Sequence, residues 1–160
     1  MINNIHCGNL IIDNFLKTQS RDPDQYITYL LIDSNKILVG FYSLICSSLL
    51  EVDSKGKIVS SIPSIEIKML VIDKRYQSES IPNRNFTFAH FMLVNCIETI
   101  NEISKSIGAE YKVLNSTEEG YNLYTNVGNF EIINEEYLLP DWKSDPDAKR
   151  MARQIRPKIK

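Results

Sequence analysis

Ser64-Ile65-Glu66-Ile67-Lys68-Met69-Leu70-Val71-Ile72-Asp73 alternates polar and apolar residues at its start and is continuously apolar towards its end. Alternation marks a strand with one face in water, and an unbroken apolar run marks a strand buried on both faces. The stretch therefore predicts a strand that enters the interior of a sheet, its central strand. Downstream, Phe88, Phe91, Met92, Val94, Cys96, Ile97, Ile100 and Ile103 recur at helical spacing within residues 86–107, and Gly108 is placed to end that helix. Tyr111 to Leu114 then reads as the next strand, so the middle of the chain is a strand–helix–strand unit.

Working outward, Asn9 is a good N-cap for a short helix carrying Ile11, Ile12, Phe15 and Leu16 on one face. Asp22-Pro23-Asp24 breaks the chain. Residues 26–32 and 36–44 are rich in β-branched and aromatic side chains, and the short Asp33-Ser34-Asn35 link predicts an antiparallel hairpin. Residues 53–61, with Gly56, read as an exposed loop after which Pro63 restarts the chain. On the far side, Thr117 caps a helix whose first turn holds Glu118 and Glu119, where carboxylates suit the helix dipole. Gly128 ends that helix, residues 130–139 alternate as a final strand, and Pro140 closes the core. The expected fold is a single α/β (α+β) domain over residues 1–142, a mixed sheet with flanking helices, followed by a basic tail over residues 143–160.

The chain has 160 residues, 43% of them hydrophobic, enough for one packed domain and too few for two ordinary ones. No run approaches the roughly 18 apolar residues of a membrane span, and Met1-Ile2-Asn3-Asn4 does not open like a signal peptide, so the expectation is a soluble, cytoplasmic protein. Cys7, Cys46 and Cys96 are widely spaced and outside any Cys/His cluster, which predicts free, mostly buried thiols and no metal. Charge is uneven: residues 143–160 hold seven basic residues (Lys143, Lys149, Arg150, Arg153, Arg156, Lys158, Lys160) against Asp145 and Asp147, while the rest of the chain is acidic. Such a segment serves nucleic-acid or acidic-partner binding, or is simply a solvated terminus.

Four segments carry a resemblance. His6-Cys7-Gly8-Asn9 with Leu10-Ile11-Ile12-Asp13-Asn14-Phe15-Leu16 resembles the opening of the GNAT-type N-acetyltransferases found as toxins of bacterial toxin–antitoxin modules. Gly40-Phe41-Tyr42-Ser43-Leu44 is similar to a strand of that family, and Leu70-Val71-Ile72-Asp73-Lys74-Arg75-Tyr76-Gln77 to the segment leading into its acetyl-CoA loop. Leu123-Tyr124-Thr125-Asn126-Val127-Gly128-Asn129-Phe130 resembles its Tyr-x-x-x-Gly-Phe pattern, with one extra residue before the phenylalanine.

The resemblance implies a splayed central strand whose backbone at Leu70, Val71 and Ile72 receives the pantetheine arm of acetyl-CoA. The pyrophosphate would lie on Gln77, Ser78, Glu79, Ser80 and Ile81, aided by Arg75, with Arg84 flanking the turn and Asn115 near the cofactor. Glycines normally let phosphate approach such a turn. Here they are replaced, Pro82 has no N–H, and extra residues around Pro82-Asn83-Arg84-Asn85-Phe86-Thr87 precede the long helix. Tyr124 matches the family's proton donor to the departing thiolate. A phenol, with an ordinary pKa of about 10, suits general-acid work worth about 10²–10⁴-fold. The plain alternative is a packed aromatic on a helix. No general base stands out, and His6 and His90 read as structural. The implied function is acetyl transfer to a primary amine, such as the α-amine of aminoacyl-tRNA, with an antitoxin and a second copy of the chain as partners. The alternative is a catalytically degenerate GNAT-fold protein acting through protein or RNA binding.

Overall fold

The computed structural model describes residues 5–18, 25–140 and 147–155. In chain order the elements are α1 (Leu10–Thr18), β1 (Ile27–Ile32), β2 (Leu38–Val52), β3 (Ile58–Ile72), α2 (Phe88–Ile107), β4 (Tyr111–Ser116), α3 (Glu118–Asn126), β5 (Glu131–Ile132), β6 (Tyr137–Leu138) and β7 (Lys149–Gln154). The seven strands form one mixed sheet in the order β1-β2-β3-β4-β7-β5, with β6 beside β2. The central position expected for β3 is borne out. Packing divides the chain into two compact units, Met1–Ile45 with Lys68–Cys96, and Cys46–Ile67 with Ile97–Lys160. Among the described residues, no helix is long and apolar enough to cross a membrane.

In the first unit, β1 and the first part of β2 form the expected antiparallel hairpin, with Tyr29 opposite Tyr42 and Leu31 opposite Gly40. Asp33 makes its turn by accepting the N–H groups of Asn35 and Ile37. Asn9 caps α1, its carbonyl taking the Asp13 N–H at 2.9 Å. Phe15 of that helix packs edge-on to Tyr26 and stacks on Phe41, within a core that includes Ile5, Leu38 and Val71. The Asp22-Pro23-Asp24 break lies outside the described residues.

In the second unit, Leu49, Val113 and Leu139 centre the core. β3 pairs parallel to β4, from Ser64 opposite Tyr111 to Ile67 opposite Leu114. Thr117 caps α3 as expected, accepting the Gly120 N–H. Gly108, at φ +69°, ends α2 and gives its N–H to Ser104.

Several expectations are corrected. The loop over residues 53–61 is a tight turn, because the Asp53 carboxylate accepts the N–H groups of Lys55 and Lys57 and the chain is extended again by Ile58. Pro63 lies inside β3, where its carbonyl still accepts the Glu110 N–H. The final strand over residues 130–139 is two short pieces: Asn134 accepts the N–H groups of Glu136 and Tyr137, and this turn sends Tyr137–Leu138 to pair with β2. Cys46 is exposed, while Cys96 is buried and Cys7 half-buried. The basic segment is not all tail, since Lys149–Gln154 forms β7, between β4 and β5, with Met151 wholly buried. The basic residues Lys149, Arg150 and Arg153 hid this strand, because long aliphatic stems can flank a core position while their charges reach water. Lys143, Arg156, Lys158 and Lys160 lie outside the described residues.

Candidate active site

The first unit holds the segment expected to bind acetyl-CoA. The β3–β4 ladder stops at Ile67, yet β3 continues to Ile72, so Leu70, Val71 and Ile72 are strand residues beyond the β4 pairing. Their other neighbour lies unusually close. A Cβ on Gly40 would stand 2.4 Å from the Val71 carbonyl oxygen, so only glycine admits this approach. The Asp73 N–H closes the pairing on the Val39 carbonyl at 2.8 Å.

Asp73, 1% exposed, anchors the turn that follows. Its carboxylate accepts the backbone N–H groups of His6 and Arg75, and the Arg75 guanidinium through Nε at 2.8 Å and Nη2 at 3.1 Å. Burial pushes this carboxyl up, but the bonds from Arg75 and His6 outweigh it and hold it below the usual carboxylate range. The opening segment is sewn to the same turn: Lys74 N–H donates to the His6 carbonyl, and the Gln77 carboxamide donates to the carbonyls of Cys7 and Ile72. Asp13 fixes that segment in turn, accepting the Cys7 N–H at 2.9 Å and pairing with His6 Nδ1 at 2.8 Å. Burial again raises its carboxyl, and Cys7 and His6 together bring it below its ordinary value. The Cys7 thiol is pushed up by burial and by Asp13, which makes it a poor nucleophile. Gln77 and Arg75, expected at the cofactor, are thus held by the protein itself. Sequence reading passed over Asp73 as an anchor; an acidic residue ending an apolar run, two places before an arginine, was its signal.

Residues 80–87 close into a small hairpin. Ser80 and Thr87 face each other, the Ile81 N–H donates to Phe86, and the Phe88 N–H donates to Glu79. The Glu79 N–H is taken by the Tyr76 carbonyl at 3.2 Å, and the Thr87 hydroxyl caps α2 through the His90 N–H. Asn83, at φ +63°, turns the tip. The amides of Glu79 and Ile81 therefore already have acceptors. Ser80 sits at the non-hydrogen-bonded position of the bridge, so its N–H faces out of the ladder. The expected cofactor would take its arm along the strand beyond Ile67, and Ser78 and Ser80, with their hydroxyls and with Arg84 nearby in sequence, would be the donors to its phosphate.

The second unit holds Asn115 and Tyr124. Asn115 lies on β4, opposite Arg150 of β7. Tyr124 is the buried residue of α3, and two glycines shape its place. A Cβ on Gly120 would come 3.0 Å from the tyrosine ring. One on Gly128 would come 2.6 Å from the Tyr124 carbonyl and 2.7 Å from Phe130, whose ring meets Tyr124 edge-on at 6.1 Å. The Phe130 N–H bonds to that same carbonyl. Thr117 fixes the start of α3, and Arg153 of β7 donates to the Gly128 carbonyl at 2.7 Å beyond its end. Near the helix start, Lys149 lies 4.1 Å over the Tyr121 ring and pairs with Glu118. Among the described residues, no cluster suited to a metal ion occurs.

No protein-family model matches the sequence, and no curated protein does. Solved structures do match. AtaTR bound with AcCoA superposes with a TM-score of 0.72 at 16% identity, over 97% of this chain and 87% of that one. A Tyr-to-Phe variant of KacT gives 0.69 at 18%, over 97% and 88%. AtaT complexed with acetyl-methionyl-tRNAfMet gives 0.66 at 19%, over 90% and 89%. At such identities the likeness is one of architecture, and it bears out the expected fold class: this chain has the GNAT fold in the form taken by the AtaT and KacT toxins.

Proposed function

We propose that this protein is an acetyl-CoA-dependent N-acetyltransferase acting on a primary amine, the α-amine of an aminoacyl-tRNA. The observation that carries the reading is the continuation of β3 to Ile72 beyond its ladder with β4, on a fold shared with a structure bound to AcCoA and one holding acetyl-methionyl-tRNAfMet. In this reading the Leu70, Val71 and Ile72 backbone aligns the arm, and Ser78 and Ser80 donate to phosphate. Acetyl-CoA supplies the acetyl group as a thioester. Tyr124 donates its phenolic proton to the departing thiolate, as a general acid. Asn115 orients the cofactor. The protein works in the cytoplasm, and its partners are an antitoxin, as the AtaT structure bound to the C-terminus of AtaR suggests, and a second copy of the chain. The test is acetyl transfer to aminoacyl-tRNA followed by mass spectrometry of the released amino acid. Transfer by the natural protein and its loss in Tyr124→Phe would uphold the reading; no transfer to any primary amine would end it.

One observation favours a second reading. With the Glu79 and Ile81 amides already bonded within the chain, the turn resembles a phosphate site closed on itself, which suits a GNAT-fold protein acting through protein or RNA contacts. Calorimetric titration with acetyl-CoA separates the two. Binding by the natural protein keeps the enzyme; binding only after Ser78 and Ser80 are both replaced by glycine marks an abandoned site.

A further inference from the structure

The second unit contains a cavity of about 430 Å³ that the acetyl-transfer reading does not use. That volume is within the range of small-ligand sites. Leu49 and Ala152, from β2 and β7, give it an apolar floor beside the core. Its walls carry two tyrosines, Tyr111 and Tyr137, and its polar edge carries Arg153, Gln154, Asn134 and Glu131.

Two of these polar groups are fixed before any ligand arrives. Arg153 is tethered by Nη1 to the Gly128 carbonyl at 2.7 Å, which sets its guanidinium plane and leaves further N–H groups to give. Asn134 accepts the Glu136 N–H through Oδ1, so its carboxamide NH₂ is the end left to donate. The Tyr137 phenol is pushed up by burial and then by the charge of Glu51, which keeps it a proton donor. Aromatic faces, a held guanidinium, carboxamides and one carboxylate are together the kit that reads unstacked bases: rings and guanidinium for stacking and phosphate, amides and carboxylate for base edges.

We propose that this cavity binds a nucleotide of single-stranded RNA, its base against Tyr111 and Tyr137 and its phosphate at Arg153. Glu131 accepts only, so it favours the bases with an exocyclic amine, adenine, cytosine and guanine, over uracil. The proposal gives the RNA acceptor a second foothold and rests on the proposed function only in taking RNA, rather than free nucleotide, as the occupant. Binding without acetyl-CoA keeps the two ideas separately testable.

The experiment titrates ¹⁵N-labelled full-length protein with AMP, UMP and a single-stranded RNA hexamer. The expected result is saturable shifts of the Asn134 and Gln154 side-chain amides, AMP tighter than UMP by several-fold, and the hexamer tighter than AMP and displaced by it. Tyr137→Leu keeps apolar volume without the ring face, and should weaken binding roughly ten-fold, the size of one base–aromatic stack. Glu131→Gln, on an exposed residue that does not threaten the fold, should narrow the AMP to UMP ratio. AMP binding without tighter RNA binding would make the occupant a free nucleotide and overturn the RNA assignment. No shift at millimolar AMP, or a hexamer that excess AMP leaves in place, would overturn the site itself.

Discussion

Replacing Gly40 by alanine tests whether the close approach of β2 and β3 governs the segment assigned to acetyl-CoA. The new methyl would sit 2.4 Å from the Val71 carbonyl oxygen, 3.0 Å from Ile72 Cδ1 and 3.3 Å from its Cα. Ordinary heavy-atom contacts need about 3.5 Å, so the strands must part locally by about 1 Å. Such overpacking costs about 1–3 kcal/mol. The same displacement would stretch the 2.8 Å bond between Asp73 N–H and Val39 beyond hydrogen-bonding range, a loss of about 1 kcal/mol. Alanine recovers about 0.5–1 kcal/mol by restricting the unfolded chain. The net expectation is a destabilisation of about 2 kcal/mol, or a fall in Tm of about 4–8 °C for a chain of this size. Urea denaturation and calorimetry measure it. Acetyl-CoA affinity should fall as well, because Val71 and Ile72 are the residues displaced. A Gly40→Ala protein within 0.5 kcal/mol of the natural one, with unchanged affinity, would refute the reasoning.

Three further outcomes are expected. Tyr124→Phe should lower kcat by about 10²–10⁴-fold while the acetyl-CoA Kd stays put, measured by thiol release; an unchanged kcat would return Tyr124 to a packing role. Asp73 and Asp13 sit below their ordinary values, so protons bind the unfolded chain first as pH falls. Their stabilisation is complete at neutral pH and is lost as acid passes through and below the ordinary carboxylate range near pH 4. Asp73→Asn should flatten the acid limb of a Tm against pH profile, and an identical limb would contradict the network. Met151→Ala should cost about 2–5 kcal/mol, as for other buried Met-to-Ala changes, visible as a lower urea midpoint; a tail residue would show no change.

The elements most legible in the sequence were those with a strong period and a matching stop. Residues 64–73 announced a buried strand by their apolar run, and α2 was bounded by its spacing and by Gly108. Thr117, with two glutamates after it, marked the start of α3. What stayed hidden depends on distant partners. β7 exists because Met151 finds the core between β4 and β5, and Lys-Arg-Met-Ala-Arg-Gln alone carries too little apolar pattern to say so. The break between β5 and β6 hangs on one side chain, Asn134, in a stretch that otherwise alternates. For the candidate site, the positions of Gln77 and Arg75 were legible but their attachments were not. Asp73 and the opening segment are 67 residues apart in the His6 bond, a separation no local pattern encodes.

β7 follows β4 and β5 in the chain yet lies between them in the sheet. Until it arrives, each of those strands has a row of ladder groups with no partner, and such rows are templates for the wrong chain. The second unit therefore folds under a constraint of order: two shores wait for a bridge made later. A peptide with the sequence of residues 148–155, added during refolding, would compete for that gap, and a chain cut between Leu139 and Lys149 would keep its fold only while the severed strand stayed seated.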